Sequence, residues 1–162
     1  MKFFGVVDTT FARFDMGHSV MDELQKMGTG FRIIRYTVPG IKDIPVACLR
    51  LLREDNCDIV VACGMPGSKP LDKISAQTAS NGIMQAQLMT GRHILEVFVH
   101  EEEAESPGEL AWLMDRRARE HAINAYYLVF DRAKLTEKAG KGLRQGYADV
   151  GPVEESGGGI RH

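Results

Sequence analysis

Framework cysteines, long apolar runs and an excess of basic charge are all missing from this chain. Its 162 residues hold three cysteines, Cys48, Cys57 and Cys63. An odd number without framework spacing fits reduced thiols in a cytoplasm rather than a disulfide scaffold. Cys57 and Cys63 flank Asp58-Ile59-Val60-Val61-Ala62 and help to make a buried strand, and their spacing makes no metal site. No apolar run approaches the ~18 residues of a membrane span, which argues against a membrane partner. The N-terminus, Met1-Lys2-Phe3-Phe4-Gly5, is too short for a signal peptide. With 20 Lys and Arg against 22 Asp and Glu, the formal net charge is -2. That balance argues against a nucleic-acid partner bound by bulk electrostatics. No internal repeat is visible. The glycine loop Gly64-Met65-Pro66-Gly67-Ser68-Lys69-Pro70 lacks the Gly-Lys-Ser/Thr ending of a P-loop and the spacing of a dinucleotide fingerprint.

What is present reads as one globular domain over residues 1–150, with a tail from Gly151 to His162 expected to be disordered. Strand-like runs cover Lys2 to Val7, Phe31 to Tyr36, Cys57 to Cys63 and His93 to Val99. Helical periodicity covers Gly17 to Met27, with Val20, Met21, Leu24 and Met27 on one face. It covers Pro45 to about Asp55, where Val46, Leu49 and Leu52 are expected to be buried, and Leu71 to Met89, stopped by Gly91. Ser106 and Glu109 have the spacing of a capping box before a helix that reaches Tyr127. Its apolar stripe is Leu110, Leu113, Met114, Ala118, His121, Ala122 and Ala125. Asp115, Arg116, Arg117, Arg119 and Glu120 are expected on a solvated or intersubunit face, and a short helix is expected over Arg132 to Lys138. The order β-α-β-α-β-α-β-α predicts an α/β fold, a flavodoxin-like three-layer sandwich with a four-stranded parallel sheet.

In such folds the loops after the strands gather at the carboxyl edge of the sheet, where ligands bind. Four loops meet there, and the most punctuated is Thr37-Val38-Pro39-Gly40-Ile41-Lys42-Asp43-Ile44-Pro45. Pro39 biases Val38 towards extended backbone, and Pro45 suits the first turn of a helix. Gly40 permits close approach to a ligand, with Ile41, Lys42 and Asp43 presented beside it. Phe11 stands in a polar loop and is expected either to stack on a flat heterocycle or to pack on the loop. Thr9 and Thr10 either bind a ligand or cap the turn, and the loop Gly64 to Gly67, ahead of a helix, is expected to present amides to an anion. His100 with Glu101, Glu102 and Glu103 suits a divalent ion, but acidic residues ahead of a helix also favour its dipole. Trp112 lies off the stripe of its helix and is expected to be exposed in a monomer, as a subunit contact.

Several of these stretches together resemble the archaeal-type riboflavin synthases, which are related to lumazine synthase. They are Val6-Val7-Asp8-Thr9-Thr10-Phe11-Ala12-Arg13, the turn from Thr37 to Ala47, Gly64-Met65-Pro66-Gly67, Gln87-Leu88-Met89-Thr90, Glu96-Val97-Phe98-Val99-His100-Glu101 and the run from Ala139 to Gly146. The resemblance spans residues 3 to 152. It implies a lumazine synthase-like fold, lumazine substrates, Mg2+ with no organic cofactor, a homopentamer with sites between neighbours, and a cytoplasmic location. Lumazine synthases carry a Val-Pro-Gly-x-x-Glu-Ile-Pro turn that holds a ribityl chain, and Asp43 stands at its acidic place. Phe11 falls where they stack an aromatic ring on a pyrimidine. On the same footing the implied substrate-binding residues are Thr9, Thr10, Phe11, Gly40, Ile41, Lys42, Asp43, Met65, Pro66 and Gly67, and the implied catalytic ones Lys42, Lys73 and His100. One departure stands out: where lumazine synthases have a Gly-x-Thr-Pro-His-like loop for phosphate and a catalytic histidine, this chain has Leu71 in the histidine's place. The implied reaction is dismutation of two phosphate-free lumazines, with lumazine synthase itself and a non-catalytic lumazine or flavin carrier as the competing readings.

Overall fold

The computed structural model describes residues 1–153; the rest of the tail expected to be disordered lies outside the described residues. The elements are β1 (Lys2–Thr9), α1 (Met16–Met27), β2 (Phe31–Val38), α2 (Ile44–Arg53), β3 (Ile59–Gly64), α3 (Pro70–Thr90), β4 (Ile94–Phe98), α4 (Pro107–Phe130) and α5 (Arg132–Glu137). Single 3-10 turns occupy Ile41–Asp43 and Glu101–Glu103. The strands form one sheet in the order β2-β1-β3-β4, every pair parallel. It is the expected α/β three-layer fold.

Parallel strands joined by helical crossovers are covered on both faces, and β3 shows the result. All six of its residues, Ile-Val-Val-Ala-Cys-Gly, are buried. Val61 and Cys63 face α1 and α4 in one core with Phe4, Val20, Leu24, Met114 and Ala118. Val60 and Ala62 face α2 and α3 in the other, with Ile44, Cys48, Leu51 and Ile83. The chain leaves β1 in one direction to make β2 and in the other to make β3. The carboxyl ends of β1 and β3 therefore flank the point where strand order reverses, the usual ligand crevice of open α/β sheets.

Three local expectations are corrected. Val46 is 57% exposed, because Ile44, fully buried at the start of α2, sets a phase that turns Ala47, Cys48, Leu51 and Leu52 inward. The cap of α4 is half as expected: Ser106 Oγ accepts from the Glu109 N–H at 3.1 Å, but Glu109 Oε2 accepts from Glu105 N–H at 2.9 Å, not from Ser106. Arg117 is not on a solvated face; it is buried within the apolar stripe, while His121 is only half-buried. The stop at Gly91 is as expected, with φ 64° and its N–H donating to Gln87 O at 2.8 Å.

Gly5 in the middle of β1 is a tight point of the α2 layer. A Cβ there would lie 2.8 Å from Val60 Cγ2 and 2.9 Å from Leu51 Cδ1, both on packed core side chains. Gly5→Ala should cost about 1–3 kcal/mol through overpacking. Urea unfolding would show this as a lower midpoint at unchanged slope.

Candidate active site

The crevice at the reversal point is a cleft of about 260 Å³. Phe11, from the loop after β1, and Gly40, Ile41, Lys42 and Asp43, from the turn after β2, form one side. Met65, Pro66 and Gly67 after β3 form the buried floor, and Asp72 and Ser75 of α3 close it. Eight of the ten residues expected to bind substrate therefore meet in one place. The loop carrying Phe11 is held by backbone bonds to the second loop, Thr10 N–H to Val38 O at 2.9 Å and Phe11 N–H to Pro39 O at 3.2 Å. Its ring is 56% exposed and has no packing partner in the aromatic cluster of Phe4, Phe31, Tyr126 and Phe130 at the other end of the sheet.

Thr9 and Thr10 are the two that stay outside. Thr9 is buried and its hydroxyl accepts from the Ala12 N–H at 3.2 Å, while the Thr10 hydroxyl donates to Pro39 O at 3.3 Å. Both shape the loop rather than line the cleft. Asp43 Oδ2 accepts from the Gly40 N–H at 3.0 Å, and Asp72 Oδ2 accepts from the Lys69 N–H at 3.0 Å. These carboxylates tighten the two turns that face each other across the cleft. At Gly67 a Cβ would meet the Asp72 carboxylate and push it from its place on the Lys69 N–H. At the end of β1, buried Asp8 accepts from the Thr37 hydroxyl at 2.6 Å and from Arg35 Nε at 3.1 Å. The same arginine reaches Asp15 at 2.6 Å, so one guanidinium ties β1, β2 and the start of α1 together.

Lys73 and His100, expected to be catalytic, are not in this cleft. They line a second and larger cavity of about 620 Å³, along the open edge of β4 between α3 and α4. Gln77 and Ser80 of α3, Arg117 and His121 of α4, and Gln145 and Tyr147 of the C-terminal segment complete much of its wall. Arg117 organises it. The guanidinium pairs with both Glu103 oxygens at 2.9 and 3.0 Å, donates to Phe98 O at 3.1 Å and Gln145 O at 3.3 Å, and lies 4.9 Å from the centre of the Tyr147 ring. Tyr147 Oη donates to Glu103 Oε1 at 2.6 Å, and the Gly146 N–H donates to Glu120 at 2.6 Å. The segment after α5 is thus strapped across the end of the cavity. Burial holds the His121 ring below the ordinary imidazole value, although its Nδ1 contacts Arg117 O at 2.8 Å.

One residue of this cavity was not singled out from sequence. Glu96 sits in β4 between Ile94 and Phe98, on the face that packs towards α2 and α3. Burial pushes its carboxyl above the ordinary value, and the Ser80 hydroxyl and His100, which act the other way, do not offset it. The signal was available: a charged residue breaks an otherwise apolar strand of five.

The acidic run after β4 does not make a metal cage. Glu101 pairs with Arg13 at 3.1 Å, Glu102 with Lys73 at 3.0 Å and Glu103 with Arg117 at 2.9 Å, three separate cations. Among the described residues no group of three or more His, Cys, Asp or Glu converges on one point. The run that suited either a divalent ion or the helix dipole thus spends its carboxylates on ion pairs. Trp112 is exposed as expected, 56%, with the Arg116 guanidinium 5.2 Å from its ring centre. Asp8 and Thr9 are buried, and of that first loop Phe11 is the large apolar side chain left open. No helix among the described residues is long and apolar enough to cross a membrane.

Comparison with known proteins matches residues 2–131 to the model of the 6,7-dimethyl-8-ribityllumazine synthase family. The chain is 56% identical to the riboflavin synthase of Methanothermobacter marburgensis over 149 residues, 92% of this chain and 97% of that protein. The riboflavin synthase of Methanothermobacter thermautotrophicus gives the same figures, and that of Archaeoglobus fulgidus is 45% identical over the same shares.

The Glu103 carboxyl is raised by burial, but the hydrogen bonds from Arg117, Tyr147 and the His100 N–H outweigh this and leave it below the ordinary value of 4.5. A depressed carboxyl stabilises the fold fully above 4.5 and loses that contribution as pH falls through its folded value. Glu103→Gln should lower the melting temperature at neutral pH and narrow the gap to wild type on acidification. Thermal melts across the acid range check the sign.

Proposed function

The chain belongs to the archaeal-type riboflavin synthases within the 6,7-dimethyl-8-ribityllumazine synthase family, and from that premise we propose that it dismutates two molecules of 6,7-dimethyl-8-ribityllumazine. One molecule gives a four-carbon unit to the other, yielding riboflavin and 5-amino-6-ribitylaminouracil. The observation that carries the reading is the cleft at the sheet reversal, where Phe11 stands open beside the turn Gly40 to Asp43. A ring so placed suits stacking on a flat heterocycle. Asp43, held to Gly40 by one carboxylate oxygen, has the other free to accept from the hydroxyls of a ribityl chain. Lys42 adds a donor for a ring carbonyl or for proton transfer.

The reaction begins with loss of a proton from the 7-methyl group, whose electron pair is delocalised into the heterocycle. The substrate carries its own electron sink, so no organic cofactor enters. Holding two flat rings face to face supplies much of the rate, since orientation alone is worth up to about 7–11 kcal/mol in favourable systems. Lys73 and His100 belong to the larger cavity, and their part in the chemistry rests on that cavity facing a substrate ring.

The lumazine synthase reading is less favoured by Leu71, which projects into solvent, 70% exposed, where a phosphate and proton carrier would be needed. A carrier without turnover is separated from an enzyme by product formation alone. A homopentameric assembly fits the large apolar side chains left open on α3, Leu71, Ile74, Leu88 and Met89, and light scattering should give five times the chain mass. A Mg2+ requirement and a cytoplasmic location complete the proposal; the ion is taken from the resemblance alone and is tested by adding EDTA.

Purified protein given 6,7-dimethyl-8-ribityllumazine and Mg2+ should form riboflavin and 5-amino-6-ribitylaminouracil in equal amounts. Folded protein that yields no riboflavin refutes the assignment. Phe11→Ala should weaken lumazine binding by about 1–3 kcal/mol, the scale of aromatic stacking on a base, with little change in melting temperature. Fluorescence titration and thermal melts separate this from a merely packed ring, for which the melting temperature falls and affinity stays.

A further inference from the structure

Glu96 occupies a position that packing alone does not explain. Side chains alternate along β4, and on the face towards α2 and α3 the sequence places Ile94, Glu96 and Phe98. Ile94 is buried and Phe98 half-buried in the apolar core of that layer, so an aliphatic residue at 96 would satisfy the fold. A carboxylate there must be partly stripped of water, which is costly without a counterion. No ion pair with Glu96 forms among the described residues. The neighbouring charges in the cavity are committed: Lys73 to Glu102 at 3.0 Å, and Arg117 to Glu103 at 2.9 Å. His121 has its Nδ1 against its own helix carbonyl. Glu96 is left facing about 620 Å³ of open cavity, with Ser80 beside it and His100 further along the strand face.

Resting on the riboflavin synthase reading, with this cavity facing the lumazine held in a neighbouring subunit's cleft, we propose that Glu96 is the base that takes the proton from the 7-methyl group of that lumazine. Lys73, an ammonium held by Glu102, is a donor and unsuited to that task. The methyl C–H bond breaks, the new O–H bond forms on a Glu96 carboxylate oxygen, and the electron pair passes into the heterocycle. The same carboxyl later returns the proton to a nitrogen of the departing 5-amino-6-ribitylaminouracil. Two lumazines and the two products contain the same atoms, so no oxidant, reductant or water is consumed. Partial burial suits the role, since it lifts the carboxyl towards the range where a base works near neutrality.

The test is hydrogen exchange at the substrate itself. In D2O, NMR follows replacement of the 7-methyl protons by deuterium, with wild type and Glu96→Gln compared at equal active-site occupancy. The variant should lose about 100-fold in enzyme-accelerated exchange and in riboflavin formation, the scale of a single proton-transfer group. Lumazine affinity should stay within about threefold and the melting temperature should not fall, because the amide removes a poorly hydrated charge. Glu96→Asp, which keeps the carboxylate but draws it back, should fall between the two. Exchange and turnover within about threefold of wild type in Glu96→Gln overturn the assignment. So does equal inactivity of the Asp and Gln variants through lost affinity or lost fold, which makes the residue a matter of shape. Failure of the wild type to make riboflavin strikes the functional reading instead, and the two failures are thereby distinct.

Discussion

The burial of β3 on both faces and its pairing along both edges constrain everything else. With Ile59 to Gly64 sealed between two helical layers, its neighbours β1 and β4 are fixed in register on either side. The loops at its carboxyl end can then move little. Val99 N–H donates to Gly64 O and Glu101 N–H to Pro66 O, so even the segment after β4 is tied to the floor of the cleft. A ligand-binding rim built on such a strand inherits its rigidity, which is how a loop with an exposed phenyl ring can still hold a defined place.

Around this frame, buried charge is used as a fastener. Asp8 with Arg35 joins β1 to β2 beside the start of α1, and Arg117 with Glu103 joins the edge strand to α4 and the C-terminal strap. In each case the arginine is multiply hydrogen-bonded, and for Arg117, which is itself buried, those bonds offset its loss of hydration. Arg117 and Glu103 themselves line the larger cavity. The polar residues that look spare in the sequence after β4 are therefore structural, while the one that interrupts an apolar strand is the one left open.

Sequence patterns made the order of strands and helices legible because each element carried its own local signature: an all-apolar strand at 59–63, proline at a helix start, glycine at 91. The cleft was legible for the same reason, as its residues lie in loops that follow strands, and strand order carries them to one edge. What escaped depends on packing between elements distant in sequence. The phase of α2 was set by Ile44 against the sheet, so Val46 turned outward. Arg117 was drawn inward by a carboxylate fourteen residues away and by a strap from beyond α5. Thr9 and Thr10 were spent on holding their own loop. The large cavity was not visible because it lies along a sheet edge and draws on four separate stretches of chain.

The three thiols lend themselves to a different use. Cys48, Cys57 and Cys63 are all free and fully shielded, Cys48 and Cys57 in one core and Cys63 in the other. Burial pushes each thiol up, Cys57 to about 12 and the other two further, so the reactive thiolate is scarce as well as hidden. An alkylating reagent meets them only when a core opens. The speed of labelling is then a clock for the opening of each layer, with Cys63 reporting one side of the sheet and Cys48 the other. The chain thus carries, in its native residues, a separate probe for each half of its fold.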